Sequence, residues 1–159
     1  MASRPRKPKS QVRTIYVLNG PNLNLLGKRE PEVYGTTTLG EIKTMAAARA
    51  KSHGFSISFR QTNNEGELID WLQEARVKAA GVVLNAAGLT HTSVALLDAA
   101  RALGQPLIEV HLSNPYAREH YRRRSFISQA ATGVVCGLGA QGYLYAIDAL
   151  AHLIEGKAA

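Results

Sequence analysis

The sequence predicts a single α/β domain built on a parallel sheet, and three observations carry that prediction. Five short runs rich in β-branched residues alternate with longer runs whose apolar positions have helical spacing. Two of the five are continuously apolar, the pattern of a strand covered on both faces. The chain has 159 residues, close to one domain's length, with 45% hydrophobic and 19% charged residues, a balance that excludes bulk disorder.

Taken in order, the first strand falls at 12–18 and is followed by a long loop to residue 38. A helix over 39–52 ends before Gly54, a residue that closes helices in the left-handed conformation. The second strand, 55–62, leads through a short turn to a helix over 65–77. The third strand, 81–85, is followed by a helix over 93–103 that is closed by Gly104 with Pro106 beyond it. The fourth strand spans 107–112, the fifth 133–137, and a last helix covers 140–154. Strands in this order, joined by helices, require right-handed crossovers and a parallel sheet.

The net charge of +7 is unevenly placed. Residues 1–13 carry Arg4, Arg6, Lys7, Lys9 and Arg13 and no acid, which leaves 14 basic against 12 acidic residues on the rest. With Pro5 and Pro8 and almost no large apolar side chain, this stretch reads as a disordered basic arm ahead of one domain over 14–159. It lacks the apolar centre of a signal peptide. Since the folded part is nearly neutral, the charge does not argue for nucleic acid as a partner. No apolar stretch approaches the ~20 residues that cross a bilayer. One cysteine, Cys136, allows no internal disulfide and suits a reducing, cytoplasmic location; in GVVCGL it reads as a small buried hydrophobe.

In open α/β sheets ligands bind beyond the carboxyl ends of the strands, so the loops at 19–38, 63–65, 85–92, 111–125 and 137–141 are where chemistry belongs. The run Gly137-Leu-Gly-Ala-Gln-Gly142 matches a dinucleotide fingerprint, but the chain ends before the second strand and acidic residue that such a site needs. Its glycines read as a tight strand-to-helix turn. The five histidines have no metal-ligand spacing, and no metal or cofactor is expected. His91 and His111 each sit at a strand's carboxyl end, which brings them to one rim. Glu109, two residues before His111, shares its strand face and can fix its imidazole by accepting a ring N–H. In the first loop Asn22 offers an amide, and Arg29 near Tyr34 would favour the phenolate, making the tyrosine a base. The run Arg122-Arg123-Arg124, with Arg118 nearby, is a solvated basic face unless one member turns to the rim to grip an acidic group.

At these residues the chain resembles the type II 3-dehydroquinate dehydratases. The matching segments are LNGPNLNLLGKREPEVYG (18–35), QTNNEGELIDWL (61–72), NAAGLTHTSVALLDA (85–99), IEVHLSNPYAREHYRRRS (108–125) and ATGVVCGLGAQGYLYA (131–146). The resemblance implies a flavodoxin-like three-layer sandwich on a five-stranded parallel sheet, assembled as a dodecamer of trimers without cofactor or metal. It implies a cytoplasmic enzyme that dehydrates 3-dehydroquinate to 3-dehydroshikimate by anti elimination through an enolate. The positions that match catalytic roles are Tyr34 as base, Arg29 as its helper, His111 as acid and Asn22 as holder of a water against the enolate oxygen. Substrate contacts match Asn85, His91, Arg122 and the backbone N–H groups of Leu112 and Ser113. Asp98 matches a position that reaches a neighbouring subunit's site. Leu97 stands where many members have arginine, and Ala86-Ala87 and Leu89 replace the proline, glycine or aromatic residues common in that loop. The competing readings are another flavodoxin-like hydrolase or lyase acting on a small polyol acid, and an anion- or nucleic-acid-binding module.

Overall fold

The computed structural model describes residues 11–158. Strands β1 (Thr14–Asn19), β2 (Ser56–Gln61), β3 (Gly81–Asn85), β4 (Leu107–His111) and β5 (Gly133–Cys136) form one sheet, paired in parallel in the order β2-β1-β3-β4-β5. The helices are a single turn, α1 (Pro31–Tyr34), then α2 (Leu39–Ser52), α3 (Glu65–Lys78), α4 (Val94–Arg101) and α5 (Gln141–Ala158). Alternation along β1 sends Ile15 and Val17 into the core beneath α2 and α5, and Tyr16 and Leu18 into the core beneath α3 and α4. The result is three layers with an apolar core on each side of the sheet.

Local chemistry sets the helix starts. Thr38 Oγ1 accepts the Glu41 N–H at 3.2 Å while the Glu41 carboxylate accepts the Thr38 N–H at 2.7 Å, a reciprocal cap for α2. Asn64 caps α3, and the Ser93 hydroxyl oxygen accepts the Leu96 N–H at 2.9 Å to cap α4.

The strand order reverses between β1 and β3, the place where an open α/β sheet leaves a crevice. The two strand ends meet there: the Gly20 N–H donates to the Asn85 carbonyl at 2.8 Å, and a Cβ at residue 20 would lie 2.6 Å from the Ala86 carbonyl oxygen.

Four sequence expectations change. Strand β5 is not covered on both faces: α5 packs on one side, whereas Val134, on the Glu109 side, is 46% exposed and Cys136 is only half-buried. It is an edge strand. Gly104 does not close α4; it has no positive φ, and the Ala102 N–H instead bonds back to the Asp98 and Ala99 carbonyls. Helix α5 runs four residues past the expected end at 154. Most of the expected arm lies outside the described residues, but Arg13 belongs to the folded body: its carbonyl accepts the Ser56 N–H at 3.0 Å, and its guanidinium lies 5.0 Å from the Phe55 ring centre.

Candidate active site

A cavity of about 140 Å³ opens at the carboxyl ends of β1, β3 and β4. Nine of the singled-out residues line it: Asn22, Arg29, Tyr34, Asn85, His91, His111, Leu112, Ser113 and Arg122. Glu109 stands behind His111. Asp98 does not line it; its side chain is exposed on α4.

The His111 wall is rigid. Strand periodicity puts Glu109 and His111 on one face, and His111 Nε2 meets Glu109 Oε1 at 2.6 Å. The Ser125 hydroxyl donates to the same oxygen at 2.7 Å, and the Ser128 hydroxyl donates to Oε2 at 2.5 Å. Burial by itself would raise the Glu109 carboxyl's pKa, yet the bonds from His111, Ser128 and Ser125 outweigh it and hold the group below its ordinary value. A carboxylate can only accept, so Nε2 carries a hydrogen and Nδ1 is the nitrogen left for the cavity. His91 packs beside it with the two rings near parallel, 6.4 Å between centres. Its Nδ1 donates to the Arg124 carbonyl at 2.7 Å, which leaves Nε2 available.

The Tyr34 wall is built from a loop. Tyr34 ends the single turn α1, and the guanidinium that reaches its phenol oxygen belongs to Arg118, whose Nη1 donates at 3.0 Å and also donates to Ser113 Oγ at 3.3 Å. Arg29, expected to assist the phenol, pairs with Glu30 at 3.1 Å, and its guanidinium carbon lies 6.0 Å from the ring centre against 5.3 Å for Arg118. Arg122 turns toward the cavity while its Nε donates to Glu119 at 3.0 Å. With Arg29, Arg118 and Arg122 in its lining, the cavity favours an anion.

Two backbone details shape the floor. Asn22 sits at φ +68°, fixed by its N–H donating to Asn63 Oδ1 at 2.9 Å, and Gln61 Nε2 donates to the same oxygen at 3.1 Å. The glycines of the fingerprint-like run pin the 112–113 segment. Gly137 N–H bonds the Ser113 carbonyl at 2.9 Å and Gly139 N–H the Leu112 carbonyl at 3.0 Å, both glycines at positive φ. The run is a turn, as expected. Among the described residues no cluster of three or more His, Cys, Asp or Glu side chains could hold a metal ion, and no helix is long and apolar enough to cross a membrane.

The model of the family "Dehydroquinase class II" matches residues 13–151. The chain belongs to the class II dehydroquinase family. It is 61% identical over 139 residues to a 3-dehydroquinate dehydratase of Phenylobacterium zucineum, covering 87% of this chain and 96% of that one. It is 54% identical over 147 residues to 3-dehydroquinate dehydratase 2 of Pseudomonas aeruginosa, covering 92% and 99%. A type II dehydroquinase of Propionibacterium acnes superposes with a TM-score of 0.85 at 41% identity, covering 88% of this chain and 97% of that one. The flavodoxin-like sandwich expected from the sequence is thus the fold of this dehydroquinase.

Sequence reasoning left several of this dehydroquinase's site residues without a role. Arg118 is one of several arginines in and beside the run, and nothing in the pattern says which of them a loop of 3-10 turns will direct inward. Ser125 ends the matching segment 108–125 without a role of its own, and Ser128 lies beyond every motif. Cys136 is half-buried rather than buried, and burial together with the nearby Glu109 charge pushes its thiol pKa up, which makes it a poor nucleophile.

Proposed function

We propose that this 3-dehydroquinate dehydratase forms 3-dehydroshikimate by anti elimination through an enolate, with Tyr34 and His111 acting from opposite walls. Tyr34, as phenolate, takes the proton beside the ketone and becomes a neutral phenol. The electron pair left behind moves onto the carbonyl oxygen, where a water held by Asn22 donates to the developing charge. As the enolate collapses, His111 protonates the departing hydroxyl, which leaves as water and gives the conjugated enone. Arg118 donates to the phenol oxygen and Arg29 lies over the same ring, while the Glu109 carboxylate holds the imidazole from behind. Asn85, His91, Arg122 and the backbone N–H groups of Leu112 and Ser113 hold the substrate's hydroxyls and carboxylate.

The observation that carries this reading is the placement of Tyr34 and His111 in one arginine-lined cavity, each with a charged partner suited to its role. The test mixes purified protein with 3-dehydroquinate and follows the enone's ultraviolet absorbance. A rise is expected; none would sink the reading.

The proposal includes a dodecamer of four trimers in which Asp98 reaches a neighbour's cavity. In support, Asp98 is exposed and outside its own chain's site, and Val134, Leu138 and Tyr145 leave apolar surface near the β5 edge. Sedimentation checks the mass, and a fully active monomer would remove this part.

A further inference from the structure

Asn85 hangs from a directional relay that crosses the sheet. Its Oδ1 accepts the Ala87 N–H at 3.1 Å, so the amide nitrogen must face the other way, and Nδ2 donates to the Tyr143 hydroxyl at 2.9 Å. At the far end Asn19 Nδ2 donates to the Arg60 carbonyl at 3.0 Å, so Asn19 Oδ1 faces Tyr143 and accepts its O–H at 2.7 Å. A backbone donor at one end and a backbone acceptor at the other therefore fix every proton between them. Tyr143 comes from α5, is fully buried and does not line the cavity. Burial keeps its phenol neutral by pushing its pKa well up. Tyr143 and Asn19 are both fully buried, so at that end of the relay water is not at hand to replace a lost partner.

We propose that Tyr143 is a positioning residue for substrate binding: it locks the Asn85 amide with oxygen toward the loop and one N–H toward the cavity. The site then offers a donor, not an acceptor, at that point, which selects an oxygen of the bound acid or its hydroxyls. The lock also steadies Ala87, which is held at φ +52°, a conformation that costs a side-chain-bearing residue energy. The proposal rests on Asn85 touching substrate, so its test separates the two claims.

The test is a double-mutant cycle on the assembled enzyme with 3-dehydroquinate. Tyr143→Phe should raise KM about tenfold with kcat changed less than about threefold, the signature of lost uniform binding. Asn85→Ala should raise KM at least as much, and the double variant should be no worse than Asn85→Ala alone, because both changes act through one amide. Asn19→Ala cuts the relay while keeping the phenol; the freed O–H then competes for Asn85 Oδ1, so KM should rise less than in Tyr143→Phe but measurably. This variant decides the matter if Tyr143→Phe does not fold. If Asn85→Ala raises KM while Tyr143→Phe, or Asn19→Ala in its place, has native KM, the positioning role is overturned and the reading of Asn85 stands. Additive effects in the cycle overturn it as well. Native KM in Asn85→Ala overturns both.

Discussion

The two walls of the cavity are made by different means. His111 is 8% exposed at the end of a central strand, and the carboxylate behind it accepts three hydrogen bonds. Tyr34 is half-buried at the end of a one-turn helix in a long loop, where a single bond from Arg118 reaches its hydroxyl. The proposed proton donor, His111, is thus placed by sheet geometry, and the proposed acceptor, Tyr34, by a contact between two loops. A group that must only deliver a proton can be fixed in advance. One that must approach a carbon benefits from a wall that can adjust.

The largest effect is expected on the Tyr34 wall. Tyr34→Phe should lower kcat by ~10³- to 10⁴-fold, the upper part of the range for a general base, with substrate still bound in equilibrium dialysis. A fully active phenylalanine variant would remove Tyr34 as the base and with it the contrast between the walls.

On the other wall Glu109→Gln should lower kcat by ~100-fold and destabilise the fold by about 2 kcal/mol, since an amide cannot accept all three bonds. Because the Glu109 carboxyl is held below its ordinary value, its bonds contribute fully above the unfolded carboxylate pKa of about 4.3 and are lost as pH falls through the lower folded value. Urea midpoints measured from pH 7 to pH 3 should fall more steeply for the wild type than for Glu109→Gln. Parallel curves would mean that the carboxylate is no better satisfied in the fold than in the unfolded chain.

A smaller change sharpens the comparison. Arg118→Ala should lower kcat by about tenfold, the value of one charge-assisted bond, and leave the urea midpoint nearly unmoved because its side-chain partners, Tyr34, Ser113 and Glu119, all belong to the loops of the rim and not to the core. If stability drops as much as in Glu109→Gln, the Tyr34 wall is as rigid as its opposite. The smallest effect is expected at Ala87, whose positive φ glycine adopts without strain. Ala87→Gly should stabilise the chain by under about 1 kcal/mol, after the glycine's extra unfolded-state entropy is set against the relieved strain, a Tm rise of up to ~3 °C.

What could be read from the sequence follows the same division. The five strands, the close of α2 at Gly54, and the pairing of Glu109 with His111 were legible because period and helix-closing glycines are local rules. So was the convergence of Asn22, Tyr34, Asn85, His91 and His111, since each closes or follows a strand on the ligand-binding edge. Arg118 was not, because its direction depends on how consecutive 3-10 turns fold back on the rim. Tyr143 was not, because its hydroxyl meets Asn19 and Asn85 only after α5 has docked across β1 and β3. The openness of β5 is not legible because an apolar run looks the same at the edge of a sheet as at its centre.

Gly20 has a bearing on how this enzyme can change. It is the point where the loops after β1 and β3 touch, and there is no room for even a methyl group between residue 20 and the Ala86 carbonyl. In a library of all single substitutions this position should tolerate none, since any side chain would pry apart the loops that carry Asn22 and Asn85. Attempts to broaden the substrate range therefore have to work from the outer lining, where Leu25 is 40% exposed, while the inner seam stays as it is.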